Sequence, residues 1–322
     1  MKKKVLLVLS LLVFNLSSLL ASEMDTISLA FESEGHTLKG RLLLPHNRTG
    51  KVPVILFFVG SGGSSSYATD YKNFLQFFLK SPLESEPVAF LFFDKRGVGE
   101  SGGKWQNTDF LQRAIDGKNA ALHIKDHPDI DPEQIFVVGH SQGGWIVQLC
   151  LAEFPEVFAG GISMAGPTFD VRNQLVNDYQ SGFICNKDMD PEVALKKAKK
   201  RVNRDLFIVS ILPLQQEWKQ LKVIKRFDPQ PYIGKIERPL LLLFAENDRL
   251  VNPTWSLDHL DQLFPQGLPK NFSVHIAENE NHSFKKSPLC FKGDWSELKF
   301  SENTKDVMAD WIKLQLAYRT SL

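Results

Sequence analysis

The chain has 322 residues, of which 43% are hydrophobic and 23% are charged, a balance typical of a folded globular protein. Its formal net charge of +1 gives no sign of the basic surface that binds phosphate backbones, so we expect no nucleic-acid partner. Three cysteines exclude a fold built on several disulfides and a zinc site with four thiolate ligands.

The N-terminus has the pattern of a secretory signal peptide. Three lysines at residues 2–4 precede the apolar residues 5–20, and a plausible cleavage point follows Ala21. We therefore expect residues 1–21 to be removed and the mature protein to be periplasmic or extracellular. An uncleaved membrane anchor is the alternative, although the stretch is short for a span. No later segment has the ~18 apolar residues of a span, so we expect none after cleavage.

Export would place the chain in a compartment where disulfides form. Cys185 and Cys290 both fall in loop-like stretches and could pair, but spacing alone does not decide whether they do. Cys150 lies in an apolar helical run and is predicted to be a buried small hydrophobe.

Strand patterns alternate with helical patterns over most of the chain. Residues 26–31 and 38–44, on either side of Gly35, predict an antiparallel pair. A continuous apolar run, typical of a strand buried on both faces, lies at residues 52–59. Further strands are predicted at residues 87–93, 134–138, 158–164, 239–244 and 272–276. Helical spacing occurs at residues 71–80, 108–123, 143–154, 253–264 and 304–318. This order predicts an α/β fold with a mostly parallel central sheet covered by helices on both faces.

The alternation breaks between residues 167 and 235. This stretch has no clear buried strand but contains amphipathic helical segments such as residues 191–210. We therefore predict a helical cap at residues 167–235, inserted into an α/β core of residues 22–166 and 236–322.

A candidate nucleophile stands between a predicted strand and a predicted helix, in the pentapeptide Gly139-His140-Ser141-Gln142-Gly143. In a Gly-x-Ser-x-Gly pattern, a sharp turn exposes the serine hydroxyl, and the glycines remove side chains that would clash. The backbone N–H of Gln142, at the helix N-terminus, is a candidate oxyanion-hole donor. A glycine-rich turn without catalytic meaning is the alternative, which the strand and helix around it disfavour.

The second oxyanion donor is expected in the loop that follows an earlier central strand. Val59-Gly60-Ser61-Gly62-Gly63 occupies that place, and the Ser61 N–H is the first candidate, with Gly62 next. A phosphate-binding loop is improbable because no Lys-Ser or Lys-Thr pair closes the glycine run.

A serine nucleophile needs a base, and the base needs an orienting carboxylate. Asp248 follows the predicted strand at residues 239–244, with Glu246 as the alternative acid. His282 follows the last predicted strand and is the candidate base, since the order Ser, acid, His is typical of this type of fold. His140 is expected to pack or to hydrogen-bond locally beside the nucleophile.

These features resemble the α/β-hydrolase superfamily over roughly residues 26–165 and 236–320. Residues 94–102 are similar to the Asp-x-Arg-Gly-x-Gly-x-Ser turn of many such hydrolases. We interpret that turn as structural, with Asp94 and Arg96 bonding the backbone. The resemblance implies a serine hydrolase with a helical cap over its site. The oxyanion loop departs from the family pattern, because Val59-Gly60-Ser61 replaces the common His-Gly pair.

The predicted chemistry is acyl transfer to Ser141 and then to water, with no metal and no organic cofactor. A small-molecule carboxylic ester is the expected substrate, although peptidases, amidases and thioesterases use the same triad. A catalytically inactive binding protein on the same fold is a further alternative, disfavoured because serine, acid and base all occur in chain order.

Two features of the predicted cap bear on the substrate. Apolar residues 207–214 either line the roof of a pocket or pack on the core. A basic cluster forms either a solvated helix face or an attractive surface for an anionic substrate. Its members are Lys196, Lys197, Lys199, Lys200, Arg201 and Arg204.

Overall fold

The structure is a computed structural model that describes residues 24–320. The predicted signal peptide, residues 1–21, lies outside the described residues. The described part of the chain forms one sheet of eight strands in the order β1-β2-β4-β3-β5-β6-β7-β8. The strands are β1 (Asp25–Ser33), β2 (His36–Leu44), β3 (Val52–Phe58), β4 (Ala89–Phe93), β5 (Ile130–His140), β6 (Gly160–Met164), β7 (Leu240–Ala245) and β8 (Phe272–Ala277).

The six neighbouring strands β4-β3-β5-β6-β7-β8 are parallel, and β2 pairs antiparallel with β1 on one side and β4 on the other. A tight turn at Glu34 and Gly35, both with positive φ, joins β1 to β2 as the predicted antiparallel pair. The mostly parallel sheet confirms the predicted fold class. β5 begins at Ile130, four residues earlier than expected, because Val52 pairs with Ile130 before a register shift interrupts the ladder.

Within residues 24–320, nine α-helices surround the sheet. They are α1 (Lys72–Leu75), α2 (Phe110–Ile124), α3 (Gln142–Glu153), α4 (Val171–Lys187), α5 (Pro191–Ile211), α6 (Gln216–Ile224), α7 (Gln230–Ile233), α8 (Pro253–Leu263) and α9 (Glu302–Thr320). α1 continues as a π-helical turn at Gln76–Lys80 and a 3₁₀ turn at Ser81–Leu83. No helix within residues 24–320 combines the length and the apolar character needed to cross a membrane.

Two apolar cores lie on the two faces of the sheet. One packs α2, α3 and α8 against alternate side chains of the strands, with Phe110, Ile146 and Leu260 fully buried. The other packs α1 and α9 against the opposite face, with Phe78 and Ile312 fully buried. Because helices cover both faces, every side chain of β4 and β7 is buried, which explains their continuous apolar runs.

Four helices, α4 to α7, lie between β6 and β7, and this stretch of the described chain contains no strand. α4 and α5 pack against each other, α6 contacts the 3₁₀ turn Trp105–Asn107, and α7 packs on α3. α4 and α6 face the carboxyl edge of the sheet, since their residues line one cavity with Ser61 and Ser141, which follow β3 and β5.

Candidate active site

Ser141 occupies a strained turn between β5 and α3. Its φ of 57° and ψ of −120° lie outside the regions that side chains other than glycine prefer. A Cβ added at Gly139 would overlap the carbonyl of Gly143, and one added at Gly143 would overlap the carbonyl of Phe58. The two glycines of the motif are therefore required by close backbone packing, and the turn presents Ser141 to a cavity.

This cavity, of about 450 Å³, separates the sheet edge from the overlying helices. Ser141 and Gln142 line its floor together with Ser61 and Gly62, so three of the predicted site residues meet here. Much of the remaining lining is apolar. It includes Trp105, Trp145, Trp218, Val171, Leu175, Leu221 and Ile224. The site therefore has a partly open, largely apolar cavity beside the serine.

A second compartment, of about 260 Å³, adjoins the first. His282 lines it, together with Arg249 and Trp295. Asp178 and Leu250 line both compartments, so they mark the boundary between the serine side and the histidine side. Asp178, on α4, was not singled out from the sequence, since an isolated acid on an amphipathic helix carries no motif.

His282 and Asp248 form a direct pair. The distance from His282 Nδ1 to Asp248 Oδ2 is 2.7 Å, and the carboxylate is buried. The other oxygen, Oδ1, accepts the N–H groups of Leu250 and Val251 at 2.7 and 2.9 Å. These bonds hold the acid in the loop after β7. Because a carboxylate only accepts hydrogen bonds, the proton between the two side chains is on His282 Nδ1. Nε2 remains as the basic nitrogen.

Glu246, the alternative acid, has a different contact. Its Oε2 accepts the N–H of Asn279 at 2.7 Å, which joins the loop after β7 to the loop after β8. The structure therefore places Asp248, and not Glu246, against the histidine.

His140 links the two sides of the site. Its Nε2 is 2.7 Å from the carbonyl of His282, and a carbonyl only accepts, so Nε2 carries the proton. Nδ1 then accepts from the Tyr71 hydroxyl at 2.8 Å, and that hydroxyl accepts the N–H of Gly60 at 2.9 Å. Burial, reinforced by His282, lowers the pKa of His140 to about 3, so the ring is neutral. The expected local bonding of His140 thus spans the oxyanion loop and the base.

The turn at residues 94–102 is built as a structural element, with one correction. Asp94 accepts the backbone N–H of Tyr67 at 3.3 Å, as expected. Arg96 does not bond the backbone, however, but pairs with the carboxylates of Asp116 and Glu34. Asp116 is itself buried, so the pairing with Arg96 compensates both charges.

The basic cluster lies on α5. Arg201 and Arg204 both bind Asp205, and Arg201 also lies over the Tyr179 ring. None of the six residues lines either compartment, and the charged side chains that line the serine side are Asp178 and Glu217. The cluster is therefore not positioned to hold an anionic substrate at the serine.

Cys185 and Cys290 form a disulfide, with 4.9 Å between their Cα atoms. The bond joins α4 to the segment that follows His282, and so ties the roof of the site to the loop that carries the histidine. Cys150 is free and buried, as predicted.

A strained serine after a central strand, an Asp–His pair on neighbouring strand ends and an eight-stranded α/β sheet define a serine hydrolase of the α/β-hydrolase superfamily. The chain belongs to the prolyl oligopeptidase family, whose model matches residues 76–304. A search of curated proteins found no match.

Solved structures share the fold. Est1E from Butyrivibrio proteoclasticus, solved with ferulic acid, is 17% identical, with 90% of this chain and 99% of that chain covered and a TM-score of 0.60. An esterase of Pyrococcus furiosus is 18% identical, with 81% and 84% covered and a TM-score of 0.58. The α/β hydrolase GrgF from Penicillium sp. is 18% identical, with 91% and 99% covered and a TM-score of 0.59. At these identities the likeness shows the fold alone.

Proposed function

We propose that this protein is an exported serine hydrolase that cleaves a carboxylic ester through an acyl-enzyme on Ser141. The observation that carries the proposal is the His282–Asp248 pair, 2.7 Å apart, whose histidine ring lies 4.8 Å from the ring of His140, the residue before a strained serine that faces a cavity. No metal or organic cofactor enters the proposed reaction.

In the proposed reaction, the Oγ of Ser141 attacks the ester carbonyl while His282 Nε2 takes its proton. The carbonyl oxygen becomes an oxyanion that accepts the N–H groups of Ser61 and Gln142. The tetrahedral adduct expels the alcohol, which leaves with the proton from His282. Water then attacks the acyl-enzyme with His282 again as base, and the carboxylic acid is released. Asp248 holds the ring and stabilises its charged form.

The cavity favours a medium-sized, uncharged acyl group. Its volume of about 450 Å³ falls in the range of small-molecule sites, and tryptophans supply flat apolar surface. Asp178 and Glu217 are the charged residues on the serine side, so a substrate carboxylate there would meet like charge. Burial raises the pKa of Asp178, while Arg249 and His282 oppose that shift.

A peptidase or amidase is the second candidate. The prolyl oligopeptidase family model, which spans most of the chain, favours it. The same serine, histidine and aspartate would cleave an amide, with His282 protonating an amine leaving group. Thioester cleavage would also need no additional group.

Export is part of the proposal. It is supported by the lysine-rich, apolar pattern of residues 1–21 and by the Cys185–Cys290 disulfide, since structural disulfides persist in oxidising compartments.

The test is labelling of the mature protein with a fluorophosphonate, which reacts with an activated serine. We expect labelling of the wild type, its loss in Ser141→Ala and a strong reduction in His282→Ala. Ser296→Ala, at an exposed serine bound to Asp294, is the matched control and should label normally. Turnover is then compared between p-nitrophenyl esters of increasing acyl length and aminoacyl p-nitroanilides. A wild type that neither labels nor turns over either series would refute the proposal, and preference for the anilides would favour the peptidase.

A further inference from the structure

Two buried cations lie beneath the loop that follows β3. The Nζ of Lys95 donates to the carbonyl of Gly60 at 2.8 Å. Arg113, on α2, donates to the carbonyl of Val59 and to the side-chain oxygen of Gln142, both at 2.7 Å. Both cations are almost fully buried, at 4% and 3% exposure, and neither forms an ion pair within residues 24–320. They therefore contact both segments that carry the candidate oxyanion donors.

Lys95 donates to the peptide group that joins Gly60 to Ser61. The carbonyl of Gly60 and the N–H of Ser61 belong to the same planar trans peptide, so the two bonds point in opposite directions. An ammonium that holds the carbonyl beneath the loop thus turns the Ser61 N–H towards the opposite side, where Ser61 lines the cavity. A cation on the carbonyl also polarises the peptide and makes its N–H a stronger donor.

The preceding peptide group, between Val59 and Gly60, is hydrogen-bonded through both its carbonyl and its N–H. Arg113 binds the carbonyl of Val59, and the N–H of Gly60 in that same peptide donates to Tyr71. Gly60 has no room for a side chain, since an added Cβ would lie 2.6 Å from the Tyr71 hydroxyl. The loop is therefore clamped one residue before the candidate donor, and Ser61 has little freedom to turn away.

The direct hydrogen-bond partners of the two cations are the informative feature, because none of them is a carboxylate. Arg96, next to Lys95 in the chain, is also buried but is paired with two carboxylates. Lys95 and Arg113 donate only to neutral acceptors, and carboxylates act on them without a direct hydrogen bond: Asp94 and Asp70 on Lys95, and Asp116 on Arg113. Burying a cation without a directly bonded counter-charge costs free energy of folding. Burial lowers the pKa of Arg113 to about 10 and that of Lys95 well below its ordinary value. A neutral donor would satisfy the same carbonyls at lower cost, so stability alone does not account for the charges.

We propose that Lys95 and Arg113 are positioning residues that orient the Ser61 and Gln142 N–H groups, and that the buried positive charge of Arg113 stabilises the oxyanion of the transition state. This proposal rests on the serine-hydrolase function proposed above. The oxyanion forms only during the reaction, so the cations should strengthen binding of the transition state more than binding of the substrate.

The experiment measures kcat and KM for p-nitrophenyl butyrate and the affinity for phenylboronic acid. The boronic acid adds the Oγ of Ser141 to boron and becomes a tetrahedral anion. For Lys95→Met, we expect kcat to fall about 10- to 100-fold, less than the 10²–10³ of a lost donor. Boronate affinity should fall by a similar factor, while KM stays within about twofold. Rates are expressed per active site by fluorophosphonate titration, so misfolded protein is not counted.

Lys80→Met is the matched control, because Lys80 is a partly buried lysine whose pKa is also lowered by burial but which lies outside the site. It should leave kcat and boronate affinity unchanged. If Lys95→Met does not fold, Arg113→Lys provides the test. This variant keeps the positive charge but cannot donate to both Val59 and Gln142, so it tests the orienting role: kcat should fall while KM is retained. A wild type that fails to label would refute the hydrolase itself. A labelling wild type whose folded Lys95→Met or Arg113→Lys variant keeps both kcat and boronate affinity would overturn only the proposal for the cations.

Discussion

Asp248 and Glu246 lie two residues apart in the loop after β7, yet their carboxylates have different partners. Asp248 binds the ring of His282, whereas Glu246 binds only the backbone N–H of Asn279. At the residue scale, the contacts of each carboxylate therefore decide which acid belongs to the proposed triad.

We expect Asp248→Asn to lower kcat by about 10³–10⁴-fold, because an amide no longer selects the productive tautomer or stabilises the charged ring of His282. Glu246→Gln is the matched control. It keeps an oxygen that accepts the N–H of Asn279, so its kcat should stay within about threefold of the wild type. Steady-state kinetics with one p-nitrophenyl ester provides the comparison, and equal losses in the two variants would contradict the assignment.

The neutral ring of His140 predicts a pH dependence of stability. Its pKa is lowered to about 3 in the folded protein, against an ordinary value of 6.5. Below pH 6.5 the unfolded chain binds a proton that the folded protein does not. The neutral ring therefore leaves the free energy of unfolding unchanged with pH above about 6.5. As the pH falls from 6.5 towards 3, it lowers the free energy of unfolding by up to about 1.4 kcal/mol per pH unit.

His140→Gln removes this titration, so the free energy of unfolding should depend less steeply on pH. The variant should also be less stable at pH 7, since Tyr71 and the carbonyl of His282 lose a buried partner. Urea unfolding at pH 7, 6 and 5 measures both effects. His123→Gln, at an exposed histidine, should keep the wild-type slope. An unchanged slope in His140→Gln would contradict the neutral state of this ring.

At the element scale, the position of α3 depends on glycine. A side chain at Gly143 would overlap the carbonyl of Phe58 at the end of β3, and one at Gly144 would lie 2.5 Å from the Cα of Gly166. These contacts let the first turn of α3 pack directly on neighbouring backbone. The N-terminus of α3, with the Gln142 N–H, is thereby fixed beside the loop that carries Ser61.

Two glycine-to-alanine changes should have opposite signs. Gly143→Ala is expected to lower the free energy of unfolding by about 1–3 kcal/mol, because the Phe58 carbonyl is backbone and cannot rotate away. Gly182→Ala, inside α4 with open space around it, should raise it by about 0.4–1 kcal/mol by restricting the unfolded chain. Chemical denaturation of both variants measures the difference. The packing explanation would fail if Gly143→Ala were as stable as the wild type.

At the scale of the whole molecule, the Cys185–Cys290 disulfide closes a loop of 105 residues that contains β7 and β8. A cross-link across so long a loop restricts the unfolded chain strongly. It also ties α4, which carries Asp178, to the segment after His282.

Cys185→Ser combined with Cys290→Ser should lower the free energy of unfolding by about 3–5 kcal/mol, measured as a lower Tm. Dithiothreitol should lower the Tm of the wild type in the same direction and leave the double variant unchanged. Equal Tm values for the wild type and the double variant would mean that the cross-link contributes little to stability.

Local sequence patterns determined the position of most strands and of the turn that carries the candidate nucleophile. Each buried strand has an apolar run of its own, so the strands at residues 52–58 and 240–245 were predictable without knowledge of their neighbours. The turn around Ser141 was predictable for the same reason, because its two glycines are needed for contacts close to the turn itself. The chain order of Ser141, Asp248 and His282 indicated candidate roles, since each of them follows a strand: β5, β7 and β8, respectively.

Tertiary structure decided the rest. β3 lies between β4 and β5 in the sheet and is parallel to both, so the carboxyl ends of these three strands lie at the same edge. That neighbourhood brings Lys95 to the carbonyl of Gly60, 35 residues away, and joins His140 to Tyr71, 69 residues away. No local sequence pattern predicts such contacts, because the two partners come within hydrogen-bonding distance only after the strands have taken their order in the sheet. The disulfide and the acidic lining of the cavity also depend on segments that are distant in the chain.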